Sequence, residues 1–428
     1  MKAQKSSDDV TRISPFADFF KQETSGSILI LIASVLGLLA ANSIFSDLYF
    51  TFLSTEISIK LSAFEFSLDI QHVINDGLMT IFFFLVGLEI KRELTSGHLA
   101  SFKKAIVPFL AAIGGMIVPA FIFLLITDFE SSKGWAIPIA TDIALAVAVL
   151  GYFGAKQSGF LRPFLLGLAV IDDIGAILII AFLFSKGFAL NWFIFSIVML
   201  TLVLISKYFG IKGTFIYIVF GIGLWLGLYN SGIHPTLAGV ILGLIAPVTP
   251  FINKEFIDLE ELKNISSAEN VKKTKEIARN SVSVVEWLEY VIHPWSAFLV
   301  VPIFAFANTG VVVNASALQN IFESKIAWGI MVGLVLGKPL GVLFFTYATK
   351  YSKIGQIPDQ IKWTQILGVG NAAGIGFTVA IFIAKLAFED RVLQDLAILS
   401  VLIASVVSAL IAVIVLKLGP KNGVKATS

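Results

Sequence analysis

Phe160-Leu-Arg-Pro-Phe-Leu-Leu-Gly-Leu-Ala-Val-Ile-Asp-Asp-Ile-Gly-Ala-Ile-Leu-Ile-Ile-Ala-Phe-Leu-Phe-Ser185 decides the fold. About 20 apolar residues cross a lipid hydrocarbon core as a helix, and this run is long enough. Yet two carboxylates, Asp172 and Asp173, sit near its middle. Neighbouring helix positions point about 100° apart, so the two acids face different surroundings. Both are not comfortably ionised in low dielectric without a cation or a proton nearby. The plain alternative is a pair of acids that fixes helix packing, but membrane helices pack well without charge.

The rest of the chain repeats the apolar pattern. Of 428 residues, 57% are hydrophobic and 14% charged, where a soluble domain carries about a quarter charged residues. Mean hydropathy is +0.89. About twelve blocks are long enough to span: 26–45, 73–90, 104–127, 135–153, 160–185, 191–208, 213–229, 233–249, 284–312, 325–349, 363–387 and 394–417. With the N-terminus inside, 24 of the 31 Lys and Arg residues fall on the inner side. Only Lys60, Lys133, Lys186, Lys325 and Arg391 fall outside, and Lys338 and Lys385 lie within spans. That asymmetry predicts twelve spans with both ends cytoplasmic. The net charge of +2 gives no reason to expect nucleic acid, and the absence of Cys excludes disulfides and thiolate metal sites. The polar first 25 residues make a poor signal peptide, so Ala40-Ala41-Asn42 reads as uncleaved.

Residues 53–70 break the pattern. Leu53, Ile57, Ile59 and Leu61 alternate with polar neighbours, with Thr55 out of phase. After Ser62-Ala63 the phase flips to Phe64, Phe66, Leu68 and Ile70. Period two with a phase flip predicts a β-hairpin on the outer surface, with an amphipathic loop as the alternative. Its unpaired edge would be satisfied by a second copy. Residues 250–283 read as a charged cytoplasmic linker, and 1–25 and 418–428 as cytoplasmic tails.

Charges within spans are costly and usually line a polar pathway. Asp142 follows Pro138 and Thr141 in block four. Proline removes a backbone donor, and a broken helix at membrane depth is tolerated only in protein or beside a wet cavity. The three together suggest an interrupted helix at a site, with a simple kink as the alternative. Lys338 lies mid-span in block ten and calls for one of the block-five acids as partner. Block eleven holds Gly368, Gly370, Asn371, Gly374, Gly376 and Thr378, which permit either close packing or unwinding. Blocks four and eleven run in opposite directions, and interrupted segments in two oppositely oriented halves point to a transporter site. Glu89, Lys91, Arg92 and Glu93 end block two; Glu286, Glu289 and His293 begin block nine. They suit a cation funnel or a proton-sensitive gate, or plain interfacial anchoring. His234, in Ser-Gly-Ile-His-Pro, is a lone His of the kind that is usually structural.

Taken together, these stretches resemble the NhaA-type sodium/proton antiporters. The matching motifs are Asn75-Asp-Gly-Leu-Met through Gly87-Leu-Glu-Ile-Lys-Arg-Glu93, Ala140-Thr-Asp142, Val170-Ile-Asp-Asp-Ile-Gly175 and Ser231-Gly-Ile-His-Pro-Thr236. His293-Pro-Trp295, Phe304-Ala-Phe-Ala-Asn308, Gly337-Lys-Pro339 and Gly374-Ile-Gly-Phe-Thr378 continue them in family order. The resemblance implies an all-α membrane fold of about twelve helices with inverted repeats, in which interrupted helices 4 and 11 cross. It implies Asp173 as a principal Na+ ligand and proton carrier, with Asp172 its partner, paired to Lys338 when no cation is bound. Thr141 would add an oxygen ligand. Asp142 and Lys338 would offset the facing positive and negative half-helix ends. Glu89, Arg92, Glu93, Glu289, His293 and His234 match positions linked to pH response. The family is typically a dimer through the outer hairpin. One departure is Tyr290, where the best-studied members carry His; Tyr does not titrate near neutral pH.

The expectation is therefore a transporter, not an enzyme. It exports Na+, and Li+ as well, in exchange for H+ by alternating access, with no cofactor. No Walker-type phosphate loop is present. More protons enter than Na+ leaves, so the exchange is electrogenic. The setting is a bacterial inner membrane, multi-pass, in contact with lipid. A symporter would show substrate-dependent Na+ flux, a channel would conduct far faster than a carrier, and a scaffold would tolerate replacement of its buried acids.

Overall fold

The computed structural model describes residues 23–61, 64–129, 132–154, 159–185, 187–211, 214–249 and 282–418. The two tails beyond them, nearly all of the expected linker, and the Ser62-Ala63 turn lie outside the described residues. Helices dominate. They are α1 (Glu23–Ala41), α2 (Ser46–Leu53), α3 (Ile70–Thr95), α4 (Phe102–Ile126), α5 (Ile143–Gly154), α6 (Leu161–Leu183), α7 (Leu190–Tyr208) and α8 (Thr214–Ser231). After these come α9 (Leu237–Ile245), α10 (Val284–Thr309), α11 (Ala315–Glu323), α12 (Lys325–Tyr351), α13 (Trp363–Ala373), α14 (Phe377–Ala387) and α15 (Arg391–Leu418). A 3-10 segment, Ser132–Ile139, precedes α5. Among the described residues nine helices are long and apolar enough to span a membrane, or up to eleven if each bent pair is one span.

All twelve apolar blocks contain helix, but one is shorter than expected. Block 233–249 yields only α9, nine residues and about 14 Å at 1.5 Å per residue. Pro235 before it and Pro247 after it cannot continue a helix. After α1 the chain turns by 112° into α2, a bend that rules out one straight segment. The strands are β1 (Glu56–Leu61) and β2 (Phe64–Asp69), antiparallel, with Glu56 opposite Asp69 and Leu61 opposite Phe64. The hairpin is thus slightly shorter than the alternating stretch 53–70, because Leu53 closes α2.

Local chemistry explains several boundaries. Asp69 accepts from His72 N (2.6 Å) at the start of α3, and Ser283 accepts from Glu286 N (3.1 Å) at the start of α10; side-chain oxygens there satisfy orphan helix donors. Gly232 (φ +86°) ends α8, with Ile233 N donating to Leu228 O (3.2 Å), the closure a left-handed glycine permits. Three π-helical turns interrupt long helices: Val73–Leu78 in α3, Ser296–Val300 in α10 and Gly333–Gly337 in α12. The latter two stop just before Pro302 and Pro339, which lack the N–H that an α-helix would use.

The core that carries the site is formed by α4, α6, α12, α13 and α15 around the 3-10 segment and α5. Helices α4 and α12 approach at Gly114 and Gly341, where a Cβ on either would run into the other's backbone. That contact brings the Lys338 turn against the interior.

Candidate functional site

Two helix breaks meet in this core. The 3-10 segment ends at Ile139 and α5 begins at Ile143; α13 ends at Ala373 and α14 begins at Phe377. The α13–α14 pair is bent by 48°. The two non-helical stretches bond to each other, Asp142 N donating to Ile375 O at 2.7 Å. Four half-helix ends therefore converge. Peptide dipoles give helix N-termini a partial positive charge and C-termini a partial negative one.

Side chains answer both signs. Asp142, buried, accepts from Leu145 N at Oδ1 (3.1 Å), near the start of α5. Its Oδ2 accepts from Thr378 N (3.2 Å) and Thr378 Oγ1 (2.6 Å), at the start of α14. One carboxylate thus caps two facing N-termini. On the negative side, Lys338 Nζ donates to Ile139 O, the last carbonyl of the 3-10 segment.

Lys338 also pairs with Asp172 Oδ2 at 2.6 Å, and both side chains are 0% exposed. The Thr141 hydroxyl lies 2.9 Å from the same Asp172 oxygen and 2.8 Å from Ala373 O, so its single hydrogen is shared between them. Asp172 Oδ1 is buried with no hydrogen-bond partner among the described residues. Asp173, the next residue on α6, is 5% exposed and belongs electrostatically with Glu89, Asp172, Asp142 and Lys338. An orphaned buried acceptor costs about 1–3 kcal/mol, and here the orphan adjoins a second carboxylate. The donor set, two carboxylates and a hydroxyl, is all oxygen, as a hard monovalent cation requires.

Comparison with known proteins bears on this constellation. The family model described as Na+/H+ antiporter 1 matches residues 17–416. A protein named Na(+)/H(+) antiporter NhaA from Shewanella sp. (strain ANA-3) is 42% identical over 413 residues, covering 95% of this chain and 98% of its own. Another of that name, from Rhodopirellula baltica, is 38% identical over 409 residues, covering 92% of each. The chain belongs to the NhaA-type Na+/H+ antiporter family. Its relatives in that family are named as transporters, not enzymes. A solved structure of the sodium proton antiporter MjNhaP1 from Methanocaldococcus jannaschii, at pH 8, aligns with TM-score 0.46 at 15% identity. It covers 93% of this chain and 98% of that one.

In this family member the remaining singled-out residues fall into two further groups. On α3 and α10, Arg92 Nη1 bonds Glu289 Oε1 at 2.5 Å, and Arg92 Nη2 lies 3.6 Å from Glu93 Oε1. Glu93 Oε2 accepts from His98 N (2.8 Å), while Glu289 Oε2 is buried without a hydrogen-bond partner. Glu89 lies one turn deeper on α3 and interacts with both Glu289 and Asp173, so it links this cluster to the central acids. His293, one turn beyond Glu289, is exposed, and so is Tyr290 at 81%. His234 is separate: it is buried, with Nδ1 2.9 Å from Thr236 Oγ1 and Nε2 3.9 Å from Asp76 Oδ1.

Two contributors were given no role at the site by sequence. Thr378 was visible in the Gly374-Ile-Gly-Phe-Thr stretch but carried no sign that it would reach Asp142 across spans. Ser405 on α15 accepts from Phe377 N (3.1 Å) and so secures the start of α14; a serine in an apolar helix gives no such signal.

Proposed function

We propose that this chain exports Na+, and Li+ with it, in exchange for H+ across a bacterial inner membrane, by alternating access at Asp172 and Asp173. The observation that carries the reading is the fully buried Lys338–Asp172 pair, with Thr141 on the same carboxylate and Asp173 beside it, where two broken helices meet. Such a pair is poised between states. With no cation bound, Lys338 neutralises Asp172, and Asp173 carries a proton. An arriving Na+ takes oxygen ligands from Asp173, Asp172 and Thr141. It expels the proton of Asp173 and replaces the charge that Lys338 supplied. Lys338 keeps Ile139 O as a second acceptor. More protons enter than Na+ leaves, so the exchange is electrogenic.

The broken helices supply the moving part. Their facing dipole ends are compensated by Asp142 and Lys338, so the crossing needs no bound ion to hold together. A site loaded with either ion reorients; an empty one does not, and this couples the fluxes. Glu89, Arg92, Glu93 and Glu289 form the inner charged approach and, with His293, the pH-responsive region; His234 belongs to the outer side. The Lys and Arg asymmetry supports both termini being cytoplasmic, and the hairpin edge supports a homodimer. The transport cycle involves no cofactor. In the cell the exchange would serve Na+ and pH homeostasis.

Proteoliposomes with an acid interior test this reading. Added Na+ or Li+ is expected to alkalinise the interior, and collapsing the membrane potential is expected to change the rate. Absence of Na+-dependent alkalinisation across a broad pH range would reject antiport.

A further inference from the structure

The first turn of α14 is held from two sides. Within the helix, Ala380 N bonds Gly376 O (3.0 Å), and the N–H groups before it have no carbonyl of a preceding turn to bond. Side chains of other elements take two of them. Thr378 N donates to Asp142 Oδ2 (3.2 Å), and Phe377 N donates to Ser405 Oγ on α15 (3.1 Å). Several hydroxyls in these helices turn back on their own backbone instead. Ser34 donates to Ile30 O, Thr346 to Val342 O and Ser400 to Leu396 O, each four residues back. Ser405, on the same helix as Ser400 and 3% exposed, offers its oxygen to a different helix.

Phe377 itself is strained. Its φ is +22°, and among the described non-glycine residues with positive φ it alone is buried; Asp128, Phe129 and Lys353 are exposed. A side chain stays in such a conformation only where its surroundings over-determine it. The ring of Phe377 is fixed in an apolar cluster with Ile30, Ala33, Leu145, Val301 and Ala305. Its N–H is fixed by Ser405. The strain sits one peptide before Thr378, whose N–H and hydroxyl both close on Asp142 Oδ2.

We infer that Ser405 is a positioning residue for ion exchange: by holding Phe377 N it keeps the first turn of α14 where Thr378 reaches Asp142. Among the described residues no hydrogen bond ties it to Asp172, Asp173 or Thr141, so it acts through the Thr378–Asp142 contact. The inference rests on the proposed role of Asp142 at the facing helix N-termini. Without the Ser405 oxygen, Phe377 N becomes a buried donor with no acceptor. The strained turn relaxes, Thr378 draws away from Asp142, and the two positive helix ends lose part of their counter-charge. Na+ still finds its ligands, so binding persists while reorientation of the loaded site slows.

Initial rates of Na+/H+ exchange in proteoliposomes, measured over a range of Na+ concentrations, separate KM from kcat. Ser405→Ala is expected to lower kcat about fivefold, the scale of one lost hydrogen bond, with KM for Na+ within about twofold of native. Ser408→Ala removes a buried hydroxyl of the same helix that has no hydrogen-bond partner among the described residues, and is expected to change neither. Thr378→Val is expected to slow exchange by itself. Combined with Ser405→Ala, it is expected to cost much less than the product of the two single losses, as for residues that act through one contact. Ser405→Cys keeps a weak acceptor at the same place and is expected to fall between serine and alanine. It carries the comparison if alanine is not tolerated. The inference is overturned if exchange keeps its native kcat without the serine, if KM shifts as far as kcat, if Ser408→Ala slows exchange equally, or if the losses multiply. Exchange by the native protein decides the transport reading separately, so a failure confined to these variants is a failure of the positioning role alone.

Discussion

Lys338 shows what a single residue does here. It carries a positive charge with no exposed surface, and Asp172 is its counter-charge. Removing one member of a buried pair leaves the other uncompensated, at a cost of about 3–5 kcal/mol. Lys338→Ala should therefore lower the melting temperature markedly. Because Na+ can replace the missing charge beside Asp172, added Na+ should restore more stability in this variant than in the native protein. Thermal unfolding with and without Na+ checks this, and equal stabilisation of both proteins would count against Asp172 as a ligand. At this scale the sequence was informative wherever a charge stood in an apolar run, as for Asp142, Asp172, Asp173 and Lys338. It named Thr378 within block eleven but gave it no partner. A Thr or Asn in a membrane helix bonds to its own preceding turn as readily as to a neighbour. Only the crossing of spans places Thr378 on Asp142.

Interrupted helices are the elements that make the site. Pro138 marked the first break and the glycines around Gly374 the second, each because local backbone chemistry disfavours a continuous helix there. Other elements left weaker traces. The apolar run 233–249 looked long enough to span, yet its prolines leave only Leu237–Ile245 helical. The short helix Ala315–Glu323, capped by Asn314, was hidden because its amphipathic pattern is brief. The π turns had no composition of their own to reveal them. A definite expectation attaches to Gly374. A Cβ there would lie 2.5 Å from Leu334 O, a backbone atom that has little room to yield. Overpacking of this kind costs about 1–3 kcal/mol. Gly374→Ala should depress antiport by roughly tenfold while Gly151→Ala, whose Cβ meets nothing within 4 Å, should not. Initial rates at matched protein levels check the pair; similar rates would mean the break tolerates displacement.

At the scale of the whole molecule, alternation and the succession of apolar blocks were the legible signals. Alternation over 53–70 gave the hairpin, whose register the pairing of Glu56 with Asp69 and Leu61 with Phe64 now fixes. Among the described residues neither edge of the two-stranded sheet has a further partner strand. A second copy would supply one. Deleting residues 56–69 should shift the protein from dimer to monomer by native mass spectrometry. Antiport should survive in the monomer, because every ligand proposed for the central site comes from one chain. A dimer that persisted after deletion would place the contact elsewhere.

The central proposal is that one buried carboxylate site binds Na+ and H+ in competition. Measuring the Na+ affinity of the purified protein as a function of pH tests it most directly. If a single proton competes, the apparent dissociation constant should fall about tenfold for each pH unit raised, more steeply if two compete, until the site is fully deprotonated. Each bound Na+ should release protons to the medium, and Asp173→Asn should abolish both effects. A Na+ affinity independent of pH, or binding that releases no protons, would contradict the shared site and with it the coupling of the two fluxes.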